Sequence, residues 1–173
     1  MKLYSGSIYI YIMSKPVMCL FDISMGYIPI LNDGKPVNDG DGNPILIKAL
    51  TPVFTESIVG KIDVVVYNEN KGTAFPFIKP FGMITTTEKD GTRKTEGLLK
   101  LRKDPENNDW VLSSRGKNVT VGVGTLVAIL GGPRILYDAR GSSYAMVRIG
   151  IHSDHHIYEG WIREIYIEKF YRQ

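Results

Sequence analysis

The chain has 173 residues, of which 43% are hydrophobic and 23% are charged, a globular composition that argues against disorder as the main state. The formal net charge of +3 is too small to indicate a dedicated nucleic-acid binder, which usually carries a basic stripe. No apolar run approaches the roughly 18 residues that a membrane span requires.

The first segment predicts a strand, because residues 7–12 alternate polar and apolar side chains. The start resembles a signal peptide only in part, since it lacks a clean apolar core and a small-residue cleavage site, and Met13 is an alternative start. The single cysteine, Cys19, lies in an apolar run and is predicted to be a small buried side chain. The absence of disulfides favours a cytoplasmic or virion-like, assembly-associated location over secretion.

The next part of the chain predicts a β-rich domain over residues 1–90. Short apolar runs at residues 44–50 and 61–67 are rich in Ile and Val, and turn signals at residues 32–34, 39–43 and 68–72 separate them. The run Asp-Gly-Asp-Gly-Asn at 39–43 suggests calcium, but Pro44 and Leu50 stand where the calcium loop needs glycine and glutamate. A hairpin loop is therefore predicted there.

The segment at residues 78–85, Ile-Lys-Pro-Phe-Gly-Met-Ile-Thr, resembles the Pro-Phe-Gly-Met-Cys segment of PAAR-like spike-tip proteins of contractile secretion systems, with Ile84 in place of the cysteine. A change of composition follows it. Residues 1–90 contain no arginine and carry a net charge of −1, whereas residues 91–173 contain 8 arginines and carry +4. We therefore predict a domain boundary at residues 90/91, within a hairpin turn or linker at residues 85–95.

Four blocks from Gly97 onward resemble, in order and spacing, the bacterial Src-homology-three (SH3b) family. They are Leu-Leu-Lys-Leu-Arg-Lys-Asp-Pro at 98–105, Gly-Thr-Leu-Val-Ala-Ile-Leu-Gly at 124–131, Ser-Tyr-Ala-Met-Val-Arg-Ile at 143–149, and Gly-Trp-Ile at 160–162 followed by Ile-Tyr-Ile at 165–167. The resemblance implies that residues 91–173 form a small SH3-like β-barrel of about five strands. The whole chain is thus expected to be all-β, with an N-terminal β-rich domain joined to this barrel.

Within the barrel, alternation places Leu126, Ala128 and Leu130 on one face of a central strand and Val127 with Ile129 on the other. Trp161 is expected in the core or in a groove. The resemblance implies a shallow ligand groove between the long first loop and the hairpin loops. The positions that match it, together with an arginine of the extended loop at residues 132–142, are Trp110, Arg134, Tyr137, Tyr144 and Tyr158. Trp110 and Tyr144 could equally be core residues.

Catalysis and cofactors find no support in the residue pattern. Gly122-Val123-Gly124 is a fragment of a phosphate-binding fingerprint, but a strand rather than a helix follows it. His152, Asp154, His155 and His156 crowd into one polar loop, and no Cys or Glu elsewhere completes a set of zinc ligands, so an exposed loop is predicted there. We therefore expect a non-enzymatic module without a cofactor or metal.

The resemblance implies a module that binds a protein or a peptidoglycan peptide, and the small net charge argues against a nucleic-acid partner. The alternative is a structural subunit of a phage tail or of a contractile injection or secretion machine, which would form homo- or hetero-oligomeric assemblies. Spatially assembled catalytic carboxylates would indicate an enzyme instead, and sequence spacing does not exclude them.

Overall fold

The computed structural model describes residues 16–57, 63–87, 93–94 and 98–170, and the predicted strand at residues 7–12 lies outside them. The described chain consists of strands joined by turns, with a single 3-10 turn at Glu164–Tyr166 and no α-helix, so the all-β prediction is confirmed. The strands before residue 90 are β1 (Met18–Leu20), β2 (Tyr27–Pro29), β3 (Leu31–Asn32), β4 (Lys35–Pro36), β5 (Leu46–Lys48), β6 (Pro52–Glu56), β7 (Val64–Tyr67), β8 (Asn70–Thr73), β9 (Ile78–Ile84) and β10 (Thr86–Thr87). Those that follow are β11 (Arg93–Lys94), β12 (Leu98–Lys100), β13 (Thr120–Gly122), β14 (Leu126–Tyr137), β15 (Ser143–Ser153), β16 (His156–Arg163) and β17 (Ile167–Lys169).

Among the described residues, one large sheet runs through both halves of the chain. Its order is β16-β15-β14-β9-β1-β6-β7-β8-β3-β4, and β17 also pairs with β9. Both β14 and β17 pair with Gly82 and Met83 of β9, so they must flank β9 on opposite sides. Smaller two-stranded sheets join β2 with β5, β10 with β11 and β12 with β13. The β10–β11 pairing confirms the hairpin expected within residues 85–95.

Strand β9 therefore belongs to both halves. It precedes the boundary predicted at residues 90/91, yet it pairs with β14 and β17, which follow that boundary. Gly82 allows the close approach of β17, since a Cβ at this position would lie only 2.6 Å from the carbonyl oxygen of Glu168. The division into residues 1–90 and 91–173 stays a prediction, and the strand pairing joins the two parts.

Three hydrophobic clusters form the core of the described part of the chain. The N-terminal cluster is centred on Leu20, Ile28, Ile47 and Val65, and the C-terminal cluster contains Leu101, Val127, Ile149 and Ile162. A smaller bridging cluster contains Cys19, Phe21, Phe81 and Ala128. Strand β14 lies between two of them, because Val127 and Ile129 enter the C-terminal cluster while Ala128 enters the bridging cluster. This confirms the alternation predicted for residues 126–130.

Several predicted turns are confirmed. In the loop at residues 39–43, the side chain of Asp39 accepts hydrogen bonds from the backbone N–H groups of Asp41 (2.9 Å) and Asn43 (3.0 Å). Between β15 and β16, Asp154 and His155 both have positive φ angles of 47° and 64°, as a two-residue hairpin of the type I′ family requires. A strand does follow Gly124. The stretch at residues 132–142, expected to be a loop, is instead mostly strand, because β14 continues to Tyr137.

The single cysteine gives a direct test of the bridging cluster. Burial raises the pKa of the Cys19 thiol to about 12, against a smaller opposing effect of Lys79. Since only the thiolate reacts, Cys19 should resist a disulfide reagent at pH 8 in the native protein and react completely in denaturant. Rapid labelling under native conditions would contradict the buried position of β1. Because the pKa is raised on folding from 9.0, this thiol favours the folded state below pH 9, and the benefit disappears as the pH rises towards 12.

Candidate functional site

Two adjoining grooves lie beside β15, β16 and the 3-10 turn that follows β16. The first, which we call the basic groove, has a volume of about 500 Å³ and is lined by Lys100, Arg102, Trp110, Trp161, Arg163 and Tyr166, among others. The second, the Tyr144 groove, has a volume of about 830 Å³ and is lined by Tyr144, Arg163, Glu164, Ile165, Glu168 and Lys169, among others. Arg163 lines both, so the two grooves form one continuous candidate surface.

Strand alternation explains one wall of this surface. On β16, Ile162 is buried in the C-terminal cluster, so Trp161 and Arg163 share the opposite face. On β15, Met146 pairs directly with Arg163, which places Tyr144 one diagonal position away. The Arg163 guanidinium lies over the Tyr144 ring, with its Cζ atom 4.5 Å from the ring centroid. This is a cation–π contact, and it holds Arg163 at the junction of the grooves.

The other wall comes from β12, which pairs with β13, and from the segment that follows β12. Arg102 and Trp161 exchange backbone hydrogen bonds of 3.0 and 2.8 Å, which fasten this segment to β16. Gly160 makes the approach feasible, because a Cβ there would lie 2.6 Å from Cγ of Leu101 and 2.7 Å from the carbonyl oxygen of Arg102. Trp110 forms a bridge with Arg102 and is thereby brought to the groove.

Two cations lie against Trp110. Nζ of Lys100 is 5.4 Å and Cζ of Arg102 is 5.6 Å from the ring centroid. Within about 6 Å, such cations are attracted by the negative face of the ring. The basic groove thus combines aromatic surface with three positive charges.

The predicted binding residues do not all meet. Trp110 lies in the basic groove and Tyr144 in the neighbouring one, and both are half-buried. Tyr158 lines a separate cavity of about 540 Å³ beside the turn at Asp154, where it stacks on His156 with a ring separation of 6.1 Å. It also packs against the C-terminal cluster. Tyr158 therefore lines neither the groove that contains Trp110 nor the groove that contains Tyr144.

Arg134 and Tyr137 lie on an exposed ribbon, which we define as residues 134–137 of β14; it pairs with residues 143–146 of β15. Arg134 forms an ion pair with Glu106, which ties the ribbon to the loop after β12. Tyr137 is 71% exposed and Ile135 is 54% exposed. The side chains of Ile135 and Tyr137 share one face of the strand because they are two residues apart.

Replacing Arg134 and Tyr137 together with alanine should change stability little. Surface ion pairs contribute about 0–1 kcal/mol, and Tyr137, which is 71% exposed, buries only a minor part of its surface. Thermal unfolding of the double variant checks this expectation. A loss above about 2 kcal/mol would mean that the ribbon is a lid over its own core rather than a free surface.

The turn between β15 and β16 carries His155 and is flanked by His152 and His156. The pKa of His152 is lowered, first because the ring is partly desolvated and then because Lys48, His155 and His156 are nearby. Within the described residues no group of three or more His, Cys, Asp or Glu side chains is placed to hold a metal ion. Nor does that part of the chain contain a helix long and apolar enough to cross a membrane.

Several residues that line the grooves were not predicted from the sequence to be binding residues. Lys100, Arg102, Arg163 and Tyr166 were not singled out, and Trp161 was expected in either core or groove. The alternation of Trp161, Ile162 and Arg163 contains a signal, since it places the tryptophan and the arginine on one face.

Comparison of the chain with models of protein families, with curated proteins and with solved structures gives no match.

Proposed function

We propose that this chain is a non-enzymatic binding module that takes a peptide segment, of another protein or of the cell wall, in the two adjoining grooves. The observation that carries the proposal is the position of Arg163, which lies over Tyr144 and lines both grooves. Aromatic side chains and arginine are the residue types that contribute most to interface energy. Here they are collected from segments far apart in sequence into one surface.

We propose further that β9 and β14–β17 form an SH3-like barrel, which begins earlier in the chain than the sequence resemblance suggested. The support is the pairing order. Strands β14, β15 and β16 form an antiparallel meander, and the last strand, β17, returns to β9, which also pairs with β14. Strand β12, which lies in the first block of the resemblance at residues 98–105, pairs with β13. On this proposal the segment between β9 and β14 is the long first loop that supplies Trp110.

The experiment is an unbiased selection. A random peptide library is displayed and selected on the immobilised full chain, and enriched peptides are measured by fluorescence anisotropy. We expect related sequences that compete with one another for one site, with the weak affinity of a shallow groove. Selection that enriches no competing set would contradict the proposal.

The alternative, a structural subunit of a phage tail or injection machine, is favoured by one observation. Ile135 and Tyr137 present exposed apolar surface on the same face of the ribbon. Such a face suits contact between subunits. Light scattering over a range of protein concentrations tests it, because an assembly subunit should associate and Tyr137→Ala should weaken that association.

A further inference from the structure

The described charged residues that line the basic groove are all of one sign. They are Lys100, Arg102 and Arg163, and no Asp or Glu is among them. Among the described residues, no carboxylate lies within ion-pair distance of any of the three. The Tyr144 groove contains the acids Glu164 and Glu168, and Glu164 is paired with Lys169 at 3.0 Å.

Aromatic rings, not carboxylates, hold these cations in place. Lys100 and Arg102 lie 5.4 and 5.6 Å from the centroid of Trp110, and Arg163 lies over Tyr144. A cation–π contact fixes the position of a cation without neutralising its charge. The positive charge of the groove is therefore preorganised and remains available to an anion from outside.

Some cations elsewhere among the described residues are paired with acids. Lys71 is paired with Glu56, Lys103 with Asp109, and Arg134 with Glu106. In the basic groove, three cations without an ion-pair partner among the described residues lie together. Positive surfaces of this kind attract partners of opposite charge and disfavour partners of like charge.

We propose that the basic groove takes an acidic peptide segment of a partner protein, a proposal that rests on the function proposed above and adds the charge class of the ligand. Charge complementarity points to an anion, and two features favour a peptide over a single-stranded nucleic acid. The faces of Trp110 and Tyr144 that the cations cover are unavailable for stacking on bases. Three cations in a groove of about 500 Å³ also form a local patch rather than a track for a phosphate backbone.

The test uses three pools of peptides of equal length. In every pool the same positions are randomised among aromatic residues and proline; the remaining positions are Glu or Asp in the acidic pool, Lys or Arg in the basic pool, and Ser or Gln in the neutral pool. A labelled 12-nucleotide thymidine strand serves as the nucleic-acid probe. Binding is measured for the wild type, for Lys100→Gln/Arg163→Gln in the groove, and for Lys35→Gln/Lys71→Gln as control. Both variants lose two positive charges, and Lys35 and Lys71 lie outside both grooves.

We expect the acidic pool to be retained preferentially, and its best members to lose about tenfold or more in affinity in the groove variant but less than about threefold in the control. An equal loss of affinity in both variants would mean that the peptides are attracted by the overall charge of the protein, and it would overturn the proposal. Tighter binding of the thymidine strand, lost in the groove variant, would overturn it in favour of nucleic acid. If neutral or basic peptides bind and compete for the grooves, the acidic ligand is wrong while the binding function stands; if no pool binds, both fail.

Discussion

Replacing Phe21 with alanine is expected to lower the free energy of unfolding by about 3–5 kcal/mol. Phe21 is only 3% exposed and packs in the bridging cluster beside Phe81 and Ala128. The loss would remove a large part of the roughly 5–15 kcal/mol that stabilises a protein of this kind. Urea unfolding measures it, and Phe75→Ala is the matched control, because Phe75 is 66% exposed and should change stability by less than about 0.5 kcal/mol.

The same site allows a sharper test of the contact between the two halves. The ring of Phe21 occupies the space into which a side chain at Gly150 of β15 would project. Gly150→Ala should therefore destabilise the wild type, yet it should cost much less in the Phe21→Ala background, where the methyl group fills space that the ring has left. A double-mutant cycle measures this coupling. Strictly additive effects would show that Phe21 does not pack on β15.

Replacing Tyr144 with alanine is expected to weaken binding of a selected peptide by about tenfold or more, which corresponds to about 1.4 kcal/mol. The side chain contributes aromatic surface to the Tyr144 groove, and it also holds Arg163 at the junction with the basic groove. Fluorescence anisotropy with one labelled peptide measures the change.

The control for Tyr144 is Tyr27→Ala. Tyr27 lies on β2, is 58% exposed, and lines neither groove. Its removal should leave peptide affinity unchanged, and circular dichroism shows whether both variants keep their β-structure. Equal loss of affinity in the two variants would contradict a site centred on Tyr144.

Local features of the fold followed from the sequence. The alternation at residues 126–130, the turn at Asp154 and His155, and the loop at residues 39–43 each depend on neighbouring residues, so periodicity and turn chemistry were sufficient. The all-β class followed from the same signals.

The features that depend on contacts between distant residues did not follow from the sequence. The pairing of β9 with both β14 and β17 joins residues more than 40 positions apart and depends on the small size of Gly82. The strand character of residues 132–137 was missed because the Gly-Gly-Pro run signals a loop, yet pairing with β15 resumes at Arg134 after an irregularity. The basic groove is assembled from β12, the loop that carries Trp110, and β16. No spacing in the sequence relates these segments.

The binding proposal is tested most directly by the location of the peptide footprint. Titration of the ¹⁵N-labelled chain with a selected peptide, followed by amide and indole N–H chemical shifts, reports which residues respond. We predict that the largest shifts occur at Trp110, Tyr144, Trp161, Arg163 and the 3-10 turn at Glu164–Tyr166. Shifts confined to the cavity beside Tyr158, to the exposed ribbon or to residues 16–57 would contradict the account.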